Sequence, residues 1–374
     1  MGDIKKKVFI FVGTTAELIK LVPVIREFNA RKVPFTIIAS GQNDIRFEEF
    51  KSEIGKAKII TAVTPKGRKS SVFLFGIWAI RTFFSLLIGM RKNFRGLNKT
   101  NSLFIVHGDT VSSLMGALVA SLYGLRLVHI ESGLRSFNFF EPFPEELCRY
   151  IVARLSDVHF CPNEWSVSNL KTVRGIKINT KHNTLIESFW SVMAMKSKHP
   201  TVLQLREAKR RYFVLVVHRQ EHVIFGKEKT KEIVRTVLDA VPRGILCVFL
   251  VHDLSKDFVH SLGLTSYKNA ASKVMQIGRL PYADFMHLLD GSEFIVTDGG
   301  SNQEEMSYMG KPSLLLRNNT ERIEGLNANV VLSKNQEDTI NHFLQHYKSF
   351  RRPPVHIDKR PAEIIADYLF IHDR

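Results

Sequence analysis

LFIVHGDTVSSLMGALVASLYGLRLVHIE, residues 103–131, decides the fold. Leu103 to His107 is an apolar run of strand length, Gly108-Asp109-Thr110 interrupts it, and a helical pattern follows through Leu122. Leu127 to Ile130 is a second apolar run, after which Glu131 stands alone as an acid. Two continuously apolar strands joined through a helix indicate a parallel sheet covered on both faces. The pattern extends in both directions. Val8–Val12 leads to a helix from about Ala16, Phe35–Ala39 is a second strand, and Val158–Cys161 is a fifth. After a middle segment, 187–210, it restarts with Phe213–Val217, Ile245–Val251, Phe294–Thr297 and Ser313–Leu316. The expected fold class is α/β: two doubly wound Rossmann-like domains, 1–187 and 188–355. A last helix lies in 356–374, with Pro361 in its first turn and Ile364, Ile365, Tyr368 and Leu369 as its apolar stripe. That helix is expected to pack back on the N-terminal domain.

The 374 residues exceed one ordinary core and suit two domains of about 150–200 residues. An apolar content of 44% with 24% charged residues is that of a globular chain. Cys148, Cys161 and Cys247 are odd in number and far apart, which argues against a disulfide framework or a zinc site and for a reducing, cytoplasmic setting. Met1 to Lys7 is polar and unlike a signal peptide. The net charge of +17 favours phosphorylated substrates or an anionic membrane. Nucleic acid is not expected, because no arginine-aromatic RNA motif, helix-turn-helix or zinc-finger spacing is present. Cations cluster at Lys66-Arg68-Lys69, Arg91-Lys92-Arg95 and Arg351-Arg352. The first two clusters bracket Val72–Met90, the most hydrophobic stretch, with Arg81 at its middle. A central arginine costs about 2.5–3.5 kcal/mol on insertion, which disfavours a span. Two readings remain for this segment. One is a buried helix covering the sheet; the other is peripheral contact of 66–95 with anionic lipid at the inner membrane face, with Trp78, Phe83 and Phe84 among headgroups.

In doubly wound sheets ligands bind beyond the carboxyl ends of the strands. Asp109, Glu131, His218-Arg219 and Asp298-Gly299-Gly300-Ser301 all lie there. Asp109 reads equally well as a helix cap. The Gly299-Gly300-Ser301 turn suits a phosphate, because glycine admits close backbone approach and a helix beginning near Asn302 would aim free N–H groups at it. Glu305, one turn on, suits ribose hydroxyls. Gly13-Thr14-Thr15 is a similar turn. Neither matches a Walker or dinucleotide fingerprint, so no cofactor is expected. Pro142-Phe143-Pro144-Glu145-Glu146 reads as a helix start with Pro144 in its first position and acids favoured by the dipole. His218 and His222 are four apart but lack a third ligand, so no metal is expected.

Together these segments resemble the UDP-N-acetylglucosamine 2-epimerase family, over nearly the whole chain. The pieces are Gly13-Thr14-Thr15-Ala16-Glu17-Leu18-Ile19-Lys20, Val106-His107-Gly108-Asp109-Thr110 and His129-Ile130-Glu131-Ser132-Gly133-Leu134-Arg135. Pro144-Glu145-Glu146 with Arg149, His218-Arg219-Gln220-Glu221 and 297–305 continue the match, and Gly310-Lys311-Pro312 and Thr320-Glu321-Arg322-Ile323-Glu324 complete it. The resemblance implies a glycosyltransferase-B type fold, its two domains facing across a cleft that takes a UDP-sugar. It implies inversion at C2 by elimination and re-addition of UDP, with Asp109, Glu131 and Glu145 as acid/base candidates. Lys20 and His218 are implied near the diphosphate and sugar. Arg149, Arg219, Phe285, Gly299, Gly300, Ser301, Glu305 and Arg322 are implied in substrate binding, with Phe285 on the uracil. A homodimer is implied as well.

The chain departs from the family pattern at several points. Thr15 replaces an arginine that faces the phosphates and Ala16 a proline, and Thr297-Asp298-Gly299-Gly300-Ser301 permutes the usual Ser-Gly-Gly order. Gln42-Asn43 stands where the bacterial effector site has Gln-His, which weighs against activation by a second substrate molecule. The leading expectation is a UDP-N-acetylglucosamine 2-epimerase serving surface polysaccharide. The others are a hydrolysing epimerase on the same residues, a glycosyltransferase acting on a lipid-linked acceptor, and a UDP-sugar sensor.

Overall fold

The computed structural model describes residues 6–63, 72–139, 141–219, 222–223, 226–252, 255–264 and 273–372. The cation cluster at Lys66-Arg68-Lys69 and the Gln220-Glu221 pair lie outside these residues. The chain divides into two compact units, Met1–Ser188 with Asp358–Arg374, and Phe189–Ile357.

The first unit opens with β1 (Lys7–Val12), α1 (Thr15–Ala30), β2 (Phe35–Ala39), α2 (Lys51–Ile54) and β3 (Lys58–Thr61). It continues with α3 (Val72–Gly89), α4 (Arg91–Phe94), β4 (Ser102–His107), α5 (Val111–Leu122) and β5 (Leu127–Ile130). Then come α6 (Glu145–Leu155), β6 (Val158–Cys161), α7 (Glu164–Ser168) and β7 (Ile176–Asn179). The strands form one parallel sheet in the order β3-β2-β1-β4-β5-β6-β7. Alternate residues of β1 feed two cores, as the pleat requires. Val8, Ile10 and Val12 pack with Leu21, Ile25 and Phe28 of α1. Ile365 and Ala366 of α15 (Pro361–Asp367) join that same cluster, so the chain's last helix completes the first unit. Phe9 and Phe11 point the other way, toward Leu86 of α3 and Ala117 and Ala120 of α5.

After α8 (Leu185–Met193), the second unit holds α9 (Pro200–Glu207), β8 (Tyr212–Val216), α10 (Lys227–Ala240), β9 (Leu246–Leu250) and α11 (Lys256–Ser261). It goes on through β10 (Val274–Ile277), α12 (Tyr282–Gly291), β11 (Ile295–Thr297), α13 (Gly300–Met309) and β12 (Ser313–Leu315) to β13 (Val330–Leu332) and α14 (Glu337–His346). Its parallel sheet runs β10-β9-β8-β11-β12-β13. Phe213, Leu215 and Val217 pack with Val234, Val237 and Leu238 of α10 and Phe343 of α14. In each sheet the strand order reverses once, between β1 and β4 and between β8 and β11. Such a switch point opens a crevice at the carboxyl ends of the two strands.

α3 shows two faces. Trp78, Thr82 and Leu86 are buried, whereas Ile80, Phe84 and Ile88 are exposed. Neither sequence-based reading of this segment holds alone. Trp78, expected among lipid headgroups, is inside the protein, and Phe83 packs on the core. Phe84 is outside.

α5 lies so close to β1 that a Cβ on Gly116 would fall 2.7 Å from a ring carbon of Phe11. Phe11 is buried and its ring has no room to withdraw. Gly116→Ala should therefore cost about 1–3 kcal/mol through overpacking, read as a lower urea midpoint at unchanged slope. Full retention of stability would show that α5 can move away from the sheet.

Candidate active site

In the first unit the switch point is built from the loops after β1 and β4. Thr14 caps α1 with a capping box, its hydroxyl accepting from Glu17 N while Glu17 reaches back. Glu17 does more than cap. Its Oε2 accepts from Gly13 N at 2.6 Å and Thr14 N at 3.0 Å, and its Oε1 accepts from the Thr110 hydroxyl at 2.6 Å and the Ser113 hydroxyl at 3.1 Å. One carboxylate thus ties the two loops together. Burial pushes its pKa up, against the four hydrogen bonds that favour ionisation.

Thr110, not Asp109, caps α5, accepting from Ser113 N at 3.0 Å. The capping reading of Asp109 therefore fails, and its carboxylate, about one-fifth exposed, meets the Arg149 guanidinium instead. His129 steadies the turn before it. Burial drops the His129 pKa to about 4, so the ring is neutral and donates from Nε2 to the Gly108 carbonyl at 2.8 Å.

Glu131 follows β5 with φ of 64°, a left-handed backbone that is unusual for glutamate and marks a conformation held by its surroundings. What holds it is Lys20 Nζ at 2.6 Å and the Asn183 side-chain amide, with His107 Nε2 at 3.9 Å. Glu131 and Lys20 are both buried, so their charges offset each other.

Glu145 and Glu146 part company. α6 begins at Glu145 with Pro144 as its cap residue, one position earlier than Pro144 was expected to stand. Glu146 is fully buried and accepts from Arg135 Nε, Ser136 N, Phe137 N and Arg149, which anchors the turn at 135–137. Glu145 is only half-buried. Cys148, one turn on, has its thiol pushed up to about 12 by burial first and then by the carboxylates of Asp109 and Glu145. Both acids therefore flank the same stretch of α6.

The second unit repeats the device with Asp298, which the sequence presents only as part of a glycine-rich turn. Asp298 is fully buried after β11 and accepts from His218 N at 3.0 Å, Arg219 N at 2.9 Å and His222 Nδ1 at 3.0 Å. His218 Nδ1 also lies 3.0 Å away. Burial opposes ionisation, but the two imidazoles outweigh it and hold this carboxyl well below the usual range. His218 is further fixed by His252, after β9, whose ring stacks on it at 5.0 Å. His252 carries no signal in the sequence beyond its place at a strand end.

α13 starts at Gly300 with Gly299 as its cap residue. A Cβ on Gly299 would sit 2.6 Å from Asn302 Oδ1, and one on Gly300 2.8 Å from Glu321 Oε1. Glu321 is buried and held by Arg317 at 2.8 Å, so it cannot yield cheaply. Around the same helix start, Arg322 meets Glu304 at 2.6 Å, and Arg219 and Arg322 each lie 3.8 Å from Glu321. Three guanidinium groups (Arg219, Arg317, Arg322) thus stand among carboxylates beside a helix N-terminus, whose free N–H groups and dipole suit an anion. Ser301 is half-exposed there. Glu305 accepts from Asn302 at 2.9 Å and lies beside Tyr282 on α12, which also carries the half-buried Phe285. The structure therefore gathers Lys20, Asp109, Glu131, Glu145 and Arg149 in the first unit. His218, Arg219, Gly299, Gly300, Ser301, Glu305 and Arg322 gather in the second.

The model of the UDP-N-acetylglucosamine 2-epimerase family matches residues 85–365. A Methanocaldococcus jannaschii protein named UDP-N-acetylglucosamine 2-epimerase is 28% identical over 348 residues, 89% of this chain and 90% of its own. The crystal structure of a Methanocaldococcus jannaschii UDP-GlcNAc 2-epimerase in complex with UDP-GlcNAc and UDP superposes with a TM-score of 0.79 at 24% identity, over 97% of this chain and 99% of that one. A Neisseria meningitidis UDP-GlcNAc 2-epimerase bound to UDP-GlcNAc gives 0.78 at 23% identity, over the same shares, 97% and 99%. At these identities the structural matches speak to the fold, which is the glycosyltransferase-B type.

Replacing Asp298 by Ala strands two backbone N–H groups and an imidazole in the interior, at a cost of about 3 kcal/mol. The acid side carries a sign. Because native Asp298 is held below the ordinary carboxylate value of about 3.9, its contribution is complete above that pH and fades as pH falls through the native value. Asp298→Asn should flatten the acid limb of stability against pH in urea titrations; an unchanged limb would show that Asp298 does not titrate with folding.

Proposed function

The chain belongs to the UDP-N-acetylglucosamine 2-epimerase family, and from that premise we propose how its residues interconvert UDP-N-acetylglucosamine and UDP-N-acetylmannosamine. The family match favours the epimerase over the transferase reading of the sequence. The observation that supports this division of labour is the separation of chemistry between the units. Carboxylates with individual cation partners stand beyond the strands of the first, and a helix start flanked by arginines stands at the switch point of the second.

A base removes the proton from C2, and the C–H electron pair becomes a C1–C2 double bond as the C1–O bond breaks. UDP leaves with that bond's pair. UDP then re-adds at C1 while a proton returns to the opposite face of C2. The step needs two proton-handling groups and a site that stabilises the departing diphosphate. Asp109, Glu131 and Glu145 supply the former. The free N–H groups of Gly300 and Ser301, with Arg219 and Arg322, supply the latter. Glu305 takes the ribose, Phe285 the uracil, and His218, oriented by Asp298, the sugar–diphosphate junction. Lys20 acts through Glu131, and Arg149 through Asp109, each holding a carboxylate in position. Thr15 offers no charge to the phosphates, so their neutralisation falls to Arg219 and Arg322.

The working form is a homodimer in the cytoplasm, and sedimentation velocity should give twice the chain mass; a single-chain mass would dismiss the dimer. Incubation with UDP-N-acetylglucosamine in deuterated water should place deuterium at C2 and yield the manno isomer without any acceptor. Asp109→Asn should slow exchange by about a hundredfold or more while UDP affinity stays unchanged. Undiminished exchange would remove Asp109 from the chemistry, and free N-acetylmannosamine as product would mark a hydrolysing enzyme.

A further inference from the structure

The backbone that follows Glu131 and the Glu131 side chain are held by different parts of the first unit. Ser132 N donates to the Phe160 carbonyl at 2.9 Å, and the Ser132 hydroxyl lies 3.0 Å from His159 Nδ1, both partners being on β6. Asn169, after α7, donates to the Gly133 carbonyl at 2.9 Å, and a Cβ on Gly133 would fall 2.2 Å from the Ser166 carbonyl oxygen. Those contacts fix the chain. The carboxylate is aimed from elsewhere. Lys20 Nζ on α1 reaches its Oε2 at 2.6 Å, and the Asn183 side-chain amide donates to the same oxygen. Oε1 faces the turn before Asp109, where a Cβ on Gly108 would lie 3.5 Å from it. Asn183 stands beyond β7, two strands across the sheet from β5. The turn that brings it there is tied to β6, because the Thr180 N–H and hydroxyl both donate to the Cys161 carbonyl, at 2.8 and 3.0 Å. Asn183 Oδ1 accepts from Leu185 N at 3.2 Å, at the start of α8. With its oxygen turned to that N–H, the buried amide presents its NH2 to Glu131, so it meets the carboxylate as a donor.

We propose that Asn183 is a positioning residue for the reaction, selecting through its amide which oxygen of Glu131 carries the proton. This role rests on the proposed part of Glu131 in proton transfer. A carboxylate oxygen has two lone pairs, and Lys20 and Asn183 take up both on Oε2. A proton placed on Oε2 would displace one of these donors and leave it buried without its acceptor. The proton therefore comes on and off at Oε1, on the side of the turn that carries Asp109. Lys20 supplies charge from a flexible stem. Asn183, planar and tied down at its oxygen, supplies direction.

The test uses two substitutions in the full chain. Asn183→Asp keeps an acceptor for Leu185 N and sets a carboxylate against Oε2. Two carboxylates in one buried site share a proton and take it up at higher pH than one alone. Lys20 on α1, His107 at the end of β4 and His129 on β5 are the titratable groups nearest the pair, with Asp109 in the adjoining turn. A raised pKa moves the limb that reports Glu131 to higher pH, whether the group works as base or as acid. The kcat profile of Asn183→Asp should therefore move up by about one pH unit or more, with UDP affinity by calorimetry unchanged. Asn183→Ser is too short to reach Glu131 but retains a local acceptor for Leu185 N. It should lower kcat about tenfold with KM and melting temperature near those of the parent, and it decides the matter if Asn183→Asp does not fold. An unmoved profile in folded Asn183→Asp, or parental kcat in Asn183→Ser, would overturn the proposal. A kcat loss matched by falling UDP affinity and stability would overturn it too, leaving Asn183 a merely structural part. Glu131→Gln separates this from the role of Glu131 itself. Undiminished exchange in that variant removes Glu131 and Asn183 together, whereas an inactive Glu131→Gln beside an unmoved Asn183→Asp profile removes Asn183 alone.

Discussion

Two buried carboxylates, one in each unit, hold together loops that the sheet alone would leave apart. A parallel sheet reverses its strand order by sending two neighbouring strands to helices on opposite faces, so the loops beyond them diverge. Glu17 spans that divergence in the first unit, one oxygen on the loop after β1 and the other on the loop after β4. Asp298 spans it in the second, from the end of β11 to the backbone after β8. Asp109 directly precedes Thr110, which Glu17 binds, and His218 is bound by Asp298 itself. Asp109 and His218 are therefore each placed close to a group that cannot move without leaving donors unsatisfied.

The two staples differ in electrostatic character. Glu17 receives hydrogen bonds from two amides and two hydroxyls, all neutral, and burial prevails to push its pKa up. Asp298 faces two imidazoles, and their attraction reverses the effect of burial. The first staple borrows its stabilisation from the N-termini of α1 and α5, whose free N–H groups and dipoles favour an anion. The second draws on the imidazoles of His218 and His222 themselves, so the staple and the position of His218 are set by the same contacts.

Legibility of the fold follows burial. Nine strands are apparent in the sequence, and among the described residues the four that are not, β3, β7, β10 and β13, are the four edges of the two sheets. A central strand is covered on both faces and flanked on both sides, so it must be continuously apolar, as Ile105 and Val106 or Val214 and Leu215 are. An edge strand such as Lys58–Thr61 or Ile176–Asn179 is partly exposed, can carry lysine, and loses the signal that distinguishes a strand from a loop. The candidate site was legible where a residue type stands out at a strand end, as with Asp109, Glu131 and His218. It was not where the role depends on a partner far along the chain. Asn183 reaches Glu131 across 52 positions, Asp298 reaches His218 across 80, and His252 stacks on it from another strand. Glu145 and Glu146 were indistinguishable as neighbours at a helix start; only the turn at 135–137 folding onto Glu146 separates them.

The same geometry bears on the charge of +17. An enzyme for a diphosphate substrate needs cations, and that need was one sequence-based account of the surplus. Within the two clusters, however, cations come with carboxylates: Lys20 with Glu131, Arg149 with Asp109 and Glu146, Arg322 with Glu304, Arg317 with Glu321. These pairs add little net charge, because a buried cation without an acid would cost more than most folds can supply. The excess must lie where solvent bears the cost of keeping the charges apart. Residues 54–108, with ten cations and no acid, hold more than half of it. The basicity of the chain as a whole thus belongs outside these buried pairs, and more than half of it to residues 54–108.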